Sequence, residues 1–170
     1  MQLQNSETLN RRIDTLLREQ QVDSDVANRL CQENQADEAN RAEKLWFCFY
    51  PPYIAGEQGI RRFFRCWGGE ALYNSHENDP ETGPIRRAIG RPCLIEADVP
   101  IESLRLQGGL AFKVVRRFLI SRGHNTNEPV DHEDRAENPL PSENIRRVMC
   151  FPEPDFIRMT ECDTWKQPLM

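Results

Sequence analysis

The sequence predicts an α+β protein with a mixed, mainly antiparallel sheet and N-terminal helices. Apolar residues recur at helical spacing before residue 44, and short apolar or alternating runs typical of strands follow it. One clear helix is predicted among those strands, so the pattern lacks regular strand–helix alternation. A chain of 170 residues is expected to form one domain. We divide it into a helical region over 1–44, a sheet-containing core over 45–151 and a C-terminal tail over 152–170.

Two helices are predicted in the N-terminal region. Ser6 is a candidate N-cap for the first, and either Asp23 or Ser24 for the second. The first helix carries an apolar stripe on an otherwise charged surface. The stripe consists of Leu9, Ile13, Leu16 and Leu17. Such a stripe could dock on another protein chain. The polar segment 32–44 is predicted to be a linker, a frayed helix or an exposed loop.

The segment 45–74 contains two of the three tryptophans and all three tyrosines. Residues 45–50 form a continuous apolar run before two prolines, which favours a central strand buried on both faces. Apolar residues within 56–67 recur at i, i+3, i+4 and i+7, which predicts an amphipathic helix. The pair Gly68–Gly69 is expected to end or kink that helix.

The later elements follow from alternation and turn residues. We predict a short helix over 84–89, a half-buried strand over 92–99, a long strand over 110–121, a last strand over 145–151 and a terminal helical turn over 154–160. Segments 75–83 and 124–141 are acidic and polar, so both are predicted to be exposed loops.

Composition excludes several classes of protein. The net charge of −5 argues against nucleic acid as a partner other than as a substrate. No apolar run approaches the roughly 18 residues that span a bilayer, so we expect no membrane contact. Residues 1–10 lack a signal pattern, and a cytoplasmic protein is expected. Arginine supplies nineteen of the 22 basic residues and forms five doublets, which indicates either codon bias or phosphate binding.

The six cysteines include no CxxC pair, and none pairs with histidine at zinc-finger spacing. Four of them fall among apolar residues and are predicted to be buried, reduced thiols. These four are Cys48, Cys66, Cys93 and Cys150.

Three groups of residues are candidates for chemistry. Glu70 follows two glycines and a tryptophan, so it could meet a ligand, or it could simply favour a helix N-terminus. Glu96 and Asp98 share a strand face, where they could divide acid and base roles, bind a cation in a nuclease, or face solvent. The loop that contains His76 has three nearby carboxylates, which could hold a metal or remain solvated.

The phrases LWFCF, PPYIAGEQG, FFRCWGGEALY, PCLIEADVP and PLPSENIRRV occur in this order over 45–151. In that order the chain resembles small bacterial proteins with an ADP-ribosyltransferase-like arrangement, found among toxin and phage-defence effectors. The resemblance implies a split mixed sheet that grips NAD in a cleft, and a transferase activity that consumes NAD.

The resemblance also implies site residues. It places the catalytic role on Glu70 or Glu96, which would stabilise the positive charge that develops on the ribose. The residues expected to bind NAD are Tyr53, Arg65, Trp67, Gly68, Gly69 and Tyr73, with Arg65 on the pyrophosphate. No strand with a histidine or arginine precedes Leu45, where that family carries one. The alternative is therefore a non-catalytic interaction module, either a toxin partner or a component of a defence system.

Overall fold

The computed structural model describes residues 1–55 and 62–163, and it confirms an α+β protein. The helices are α1 (Ser6–Arg18), α2 (Ser24–Gln32), α3 (Arg62–Arg65), α4 (Glu70–His76), α5 (Thr82–Ala88), α6 (Gln107–Ser121) and α7 (Pro154–Thr160). The strands are β1 (Leu45–Cys48), β2 (Cys93–Ala97), β3 (Glu133–Ala136) and β4 (Ile145–Cys150). Short 3-10 turns lie at Pro52–Ala55, Ile101–Ser103 and Ser142–Asn144.

The described strands form two separate antiparallel pairs, whereas the sequence predicts one mixed sheet. β1 pairs with β3 and places Cys48 opposite Glu133. β2 pairs with β4 and places Cys93 opposite Cys150. The predicted central position of residues 45–50 is wrong, because β1 has one neighbouring strand and alternates between half-buried and exposed residues.

Several predicted elements are confirmed near their expected positions. β2 and β4 occupy the predicted strands over 92–99 and 145–151, and α7 coincides with the predicted terminal turn. α5 begins two residues before the predicted short helix. Of the helix predicted over 56–67, residues 56–61 lie outside the described residues, and α3 ends at Arg65.

The first core lies between the N-terminal helices and the chain that follows α3. It consists of Leu9, Ile13, Leu16, Val22, Val26, Ala27, Leu30, Ala36, Ala71, Leu72 and Ile89. Side-chain caps define where its two long helices begin. The carboxamide of Asn5, rather than Ser6, accepts from Thr8 N at 2.8 Å, and Asp23 accepts from Val26 N at 2.8 Å.

The predicted docking of another chain through the first helix is wrong. Leu9, Ile13 and Leu16 are 1%, 0% and 6% exposed, because they pack against α2 and the start of α4 in the first core. A helix of this length depends on burial of its apolar stripe for stability, and here the stripe is buried within the same chain.

The second core is smaller and lies under the β2–β4 pair. It contains Phe64, Met149, Phe156 and Cys162. Cys93 and Cys150 form a disulfide between the paired strands, so the prediction that these two are reduced thiols is wrong. Cys66 is buried as predicted, whereas Cys48 is exposed. A cytoplasmic location stays a prediction, and disulfides are more typical of oxidising compartments.

Residues 110–121, predicted as a long strand, belong to helix α6 instead. Lys113, Arg116 and Arg117 are spaced i, i+3 and i+4, which gives a basic stripe along one side of a helix. Gly123, at φ +87°, ends the helix with bonds from Gly123 N to Ile120 O and from His124 N to Leu119 O, a Schellman arrangement. Neither α6 nor any other helix within residues 1–55 and 62–163 is long and apolar enough to cross a membrane.

The predicted exposed loop over 124–141 contains strand β3 and two buried polar residues. Asp134 is 0% exposed and His132 is 8% exposed. The carboxylate of Asp134 accepts from Leu106 N at 2.7 Å, just before α6 begins. One acidic residue of this segment is therefore a buried acceptor, and it satisfies a backbone N–H of the turn before α6.

His76 is fully buried at the end of α4. Its Nε2 donates to the carbonyl of Glu33 at 2.8 Å, and its Nδ1 lies 3.0 Å from Thr82 Oγ1, a hydroxyl that also contacts Asp79. Removal from water lowers the pKa of His76, and the nearby charge of Arg86 lowers it further. The imidazole is therefore neutral in the folded protein.

We expect His76 to make the protein less stable as the pH falls from 7 to 5. The pKa of His76 is lower in the folded chain than its value near 6.5 in the unfolded chain, so between these two pKa values the unfolded chain binds more protons and acid favours unfolding. The slope from this one group is at most about 1.4 kcal/mol per pH unit. Urea denaturation of the wild type and of His76→Gln at both pH values measures it. The variant should lose that slope, and His124→Gln, at an exposed position, should keep it. Parallel profiles for wild type and His76→Gln would contradict the assignment.

Candidate functional site

The double-glycine turn between α3 and α4 is tightly packed. Gly68 and Gly69 have φ values of +91° and +54°, which residues with a side chain rarely adopt. A Cβ atom on Gly68 would lie 2.4 Å from Cδ1 of Leu72, and one on Gly69 would lie 3.1 Å from the ring of Phe63. The glycines are therefore required by the backbone conformation of the turn and by the close packing of Leu72 and Phe63.

A buried arginine holds this turn in place. Arg86 on α5 is 0% exposed, its Nε donates to Trp67 O at 2.9 Å, and its Nη1 donates to Leu72 O at 3.0 Å. Trp67 N donates in return to Arg86 O at 3.0 Å. Burial lowers the pKa of Arg86, but the carbonyls that it contacts solvate the charge. One of the five arginine doublets thus contributes to structure.

Glu70 is the first residue of α4 and projects from its N-terminus. Its carboxylate is 52% exposed and lies 3.6 Å from Nε of Arg41. Negative charge at a helix N-terminus is stabilised by the helix dipole and by the free N–H groups there. This geometry fits the structural interpretation of Glu70.

Glu96 and Asp98 each pair with an arginine of the chain segment that runs beside β2. Glu96 accepts from Arg147 Nε at 2.6 Å, and Asp98 accepts from Arg146. The hydrogen bond from Arg146 lowers the pKa of Asp98. The side chains of Glu96 and Asp98 are 50% and 58% exposed, and each carboxylate is paired with a guanidinium, although Arg147 is shared with Asp155.

The residues predicted to bind NAD are spread over several elements. Tyr53 lies on the 3-10 turn Pro52–Ala55 and is 42% exposed. Tyr73 is half-buried on α4, and Trp67 is half-buried against the first core. Arg65 on α3 is 8% exposed, which places its guanidinium inside the protein. The resemblance also implies that NAD lies near the loop over 51–59, of which residues 56–59 lie outside the described residues.

The structure brings together a different set of side chains on the outer face of the β1–β3 pair. Alternation along the strands places Trp46, Cys48 and Tyr50 on the same side as Glu133 and Arg135. We call these five residues the β1–β3 face. The hydroxyl of Tyr50 donates to Glu133 Oε1, and Cys48 Sγ lies 3.9 Å from the same oxygen. The guanidinium of Arg135 stacks over the Trp46 ring at 5.3 Å.

The pKa values of Tyr50 and Cys48 are both shifted by desolvation and by the nearby carboxylate of Glu133. Desolvation raises the pKa of Tyr50, and the hydrogen bond to Glu133 raises it further. Desolvation likewise raises the pKa of Cys48, with a contribution from the charge of Glu133. Both groups therefore stay protonated at neutral pH, so Tyr50 acts as a donor and Cys48 is not a thiolate nucleophile.

Two residues of this face, Glu133 and Arg135, were not predicted as site residues from the sequence. The two missed residues lie in the segment predicted as a loop, and only the pairing of β1 with β3 shows that they face the aromatic strand. The available signal was the short alternation of His132, Glu133, Asp134 and Arg135, of which His132 and Asp134 are buried.

The β1–β3 face is open to solvent. Two depressions of about 300 Å³ and 290 Å³ lie at the N-terminal and C-terminal ends of α6, and neither is lined by this face or by the double-glycine turn. Among the residues that the structure describes, no three histidine, cysteine or acidic side chains come close enough to hold a metal ion.

No family model matches the chain, and neither a curated protein nor a solved structure matches it. The resemblance to ADP-ribosyltransferase-like proteins therefore stays a prediction from the sequence.

Replacing Gly68 with alanine should destabilise the protein by about 2 to 4 kcal/mol, because the methyl group adds a clash with Leu72 to the strain of a positive φ. Gly123→Ala is the matched control. Gly123 has φ +87° and nothing within 4 Å of its Cβ position, so only the backbone strain of about 1 kcal/mol should appear. Chemical denaturation of both variants measures the difference. Equal losses would show that the turn has room for a side chain, and hence for an approaching ligand.

Proposed function

We propose that the protein is an NAD-dependent ADP-ribosyltransferase-like protein of a bacterial toxin or defence system, and that its chemistry belongs to the β1–β3 face. The observation that carries the proposal is the hydrogen bond between Tyr50, two residues after β1, and Glu133 on β3. The family that the sequence resembles usually carries a tyrosine, serine or threonine on its second strand and a glutamate on a later strand. Tyr50 and Glu133 reproduce that order in this chain.

The side chains of the face suit the parts of NAD. The Trp46 ring is 47% exposed and offers a flat surface for a base or nicotinamide ring. Arg135 brings a guanidinium beside it, and a guanidinium fork matches phosphate oxygens. Glu133 provides the anion that a positively charged ribose requires when nicotinamide departs with the bonding electrons. NAD supplies the ADP-ribosyl group and the leaving group.

Each residue then has a definite task. Glu133 stabilises the charge on the ribose carbon from one side. Tyr50 orients that carboxylate by donating its hydroxyl proton, and its raised pKa keeps the proton in place at neutral pH. Positioning of this kind matters because electrostatic stabilisation depends on the carboxylate being held before the reaction begins.

Removal of the Glu133 charge should abolish NAD consumption. We expect Glu133→Gln to lower the rate of nicotinamide release by at least about 100-fold and Tyr50→Phe by about 10-fold. Glu143→Gln, an exposed substitution in a nearby 3-10 turn, should keep the wild-type rate. Nicotinamide release and labelled ADP-ribose transfer are the measurements, with circular dichroism to confirm the fold.

The same assay on Glu70→Gln and Glu96→Gln tests the two carboxylates that the sequence suggests. Loss of activity in either, with Glu133→Gln unaffected, would move the site away from the β1–β3 face. If about 1 mM NAD neither shifts the melting temperature of the wild type nor is consumed, the enzymatic proposal is wrong.

A non-catalytic interaction module is the second candidate. It is favoured by the state of Glu70, Glu96 and Asp98, which all sit in exposed ion pairs with arginines. Carboxylates used in this way stabilise a surface and leave nothing unpaired for chemistry. Silent NAD assays together with an intact, folded chain would favour this candidate.

A further inference from the structure

Helix α6 turns its apolar side to solvent. Its outer face, as we call it, consists of Ala111, Phe112, Val114, Val115, Phe118 and Leu119. The two phenylalanines are 70% and 57% exposed, Val114 and Val115 are 58% and 57% exposed, and Leu119 is 42% exposed. No residue of α6 is buried. This is the reverse of the usual arrangement, in which the apolar side of a helix covers a core.

The polar side of α6 fixes this orientation. Lys113 Nζ donates to Pro129 O at 2.7 Å, Arg117 Nε donates to Val130 O at 3.4 Å, and Arg116 pairs with Glu128 at 3.2 Å. The three cations hold the helix against its own following segment. Their head groups therefore lie on the side of the helix away from the outer face, and recognition of the outer face depends mainly on apolar packing.

We propose that the outer face packs against the same face of a second copy of this chain, in an antiparallel helix pair centred on Val115. The face offers on the order of 600 Å², near the roughly 800 Å² that each partner contributes to a standard interface. It is also at the upper end of the roughly 300–600 Å² of the largest apolar patch on a monomer. The guanidinium of Arg122 stacks over the Phe118 ring at 5.2 Å at the C-terminal end of the face. Pairing centred on Val115 places the two copies of Arg122 at opposite ends of the interface, so it creates no like-charge contact within it.

The sequence of the face is self-complementary about Val115. A two-fold axis there places Phe112 opposite Phe118 of the second copy, and Ala111 opposite Leu119. Each pair of phenylalanines can meet edge to face, and each small alanine leaves room for a leucine. The same axis places Gly108 opposite Arg122 of the second copy, and Gly108 has nothing within 4 Å of its Cβ position, which leaves room for that side chain. This pairing does not depend on either candidate function.

The first test is the oligomeric state of the full chain. Light scattering and sedimentation should show a dimer that dissociates on dilution. Val115→Asp would place two carboxylates against each other at the axis, and we expect it to raise the dissociation constant by at least about 100-fold. Ile101→Asp is the matched control, because Ile101 is 58% exposed but lies outside α6. It should leave the dimer unchanged.

The second test fixes the register. With Cys48 replaced by serine to remove the exposed free thiol, Val115→Cys should form an intermolecular disulfide on mild oxidation, and Ile101→Cys should not. A wild-type monomer at about 100 μM would overturn the proposal. A dimer that survives Val115→Asp would overturn it too. So would a monomer that co-sediments with vesicles or binds a different protein through α6.

Discussion

The buried guanidinium of Arg86 is the contact on which the helical half of the protein depends. It joins α5 to the two ends of the double-glycine turn by binding the carbonyls of Trp67 and Leu72. Leu72 in turn lies in the first core with the stripe of α1. A buried charge of this kind is stable only while its hydrogen-bond acceptors stay in place, and each hydrogen bond to a charged group contributes about 1.5 to 3 kcal/mol. The turn, α4 and α5 are therefore held as one unit.

This constraint explains why the double-glycine turn misleads as a functional signal. Glycines beside an aromatic and a glutamate resemble a ligand loop, because both kinds of site require positive φ and close backbone approach. In this chain the group that approaches closely is the side chain of Leu72, and the group that binds the free carbonyls is Arg86. The space that the two glycines leave is therefore filled by a side chain of the protein itself and not by a ligand.

Local patterns predicted the elements whose partners are close in sequence or whose faces differ clearly. The stripe of α1 and the cap of α2 were readable because helix periodicity and capping act within one or two turns. The long-range relations were not readable. Nothing local shows that Cys93 faces Cys150 across two strands, or that Glu133 faces Tyr50, since strand register depends on pairing between distant segments.

α6 shows a second reason for error. Its many β-branched and aromatic residues favour a strand, and this propensity led to the prediction of a strand over 110–121. The basic residues at i, i+3 and i+4 were the signal for a helix. A helix whose cations face its own chain also reverses the usual relation between polarity and exposure. Apolar residues like those of 110–121 are usually buried within a fold, whereas in the structure most of these side chains are exposed to solvent.

Strand β3 links the two surfaces that bear on function. Its alternation points Glu133 outward to Tyr50 and points Asp134 inward, where the carboxylate receives Leu106 N at the start of α6. His132 precedes them and packs beside Gly109, whose missing side chain leaves 3.1 Å between its Cβ position and the imidazole. A one-residue slip of β3 would exchange the inward and outward residues, so it would remove both the acceptor for α6 and the carboxylate of the β1–β3 face. The register with β1 therefore positions the candidate site and the outward-facing helix together.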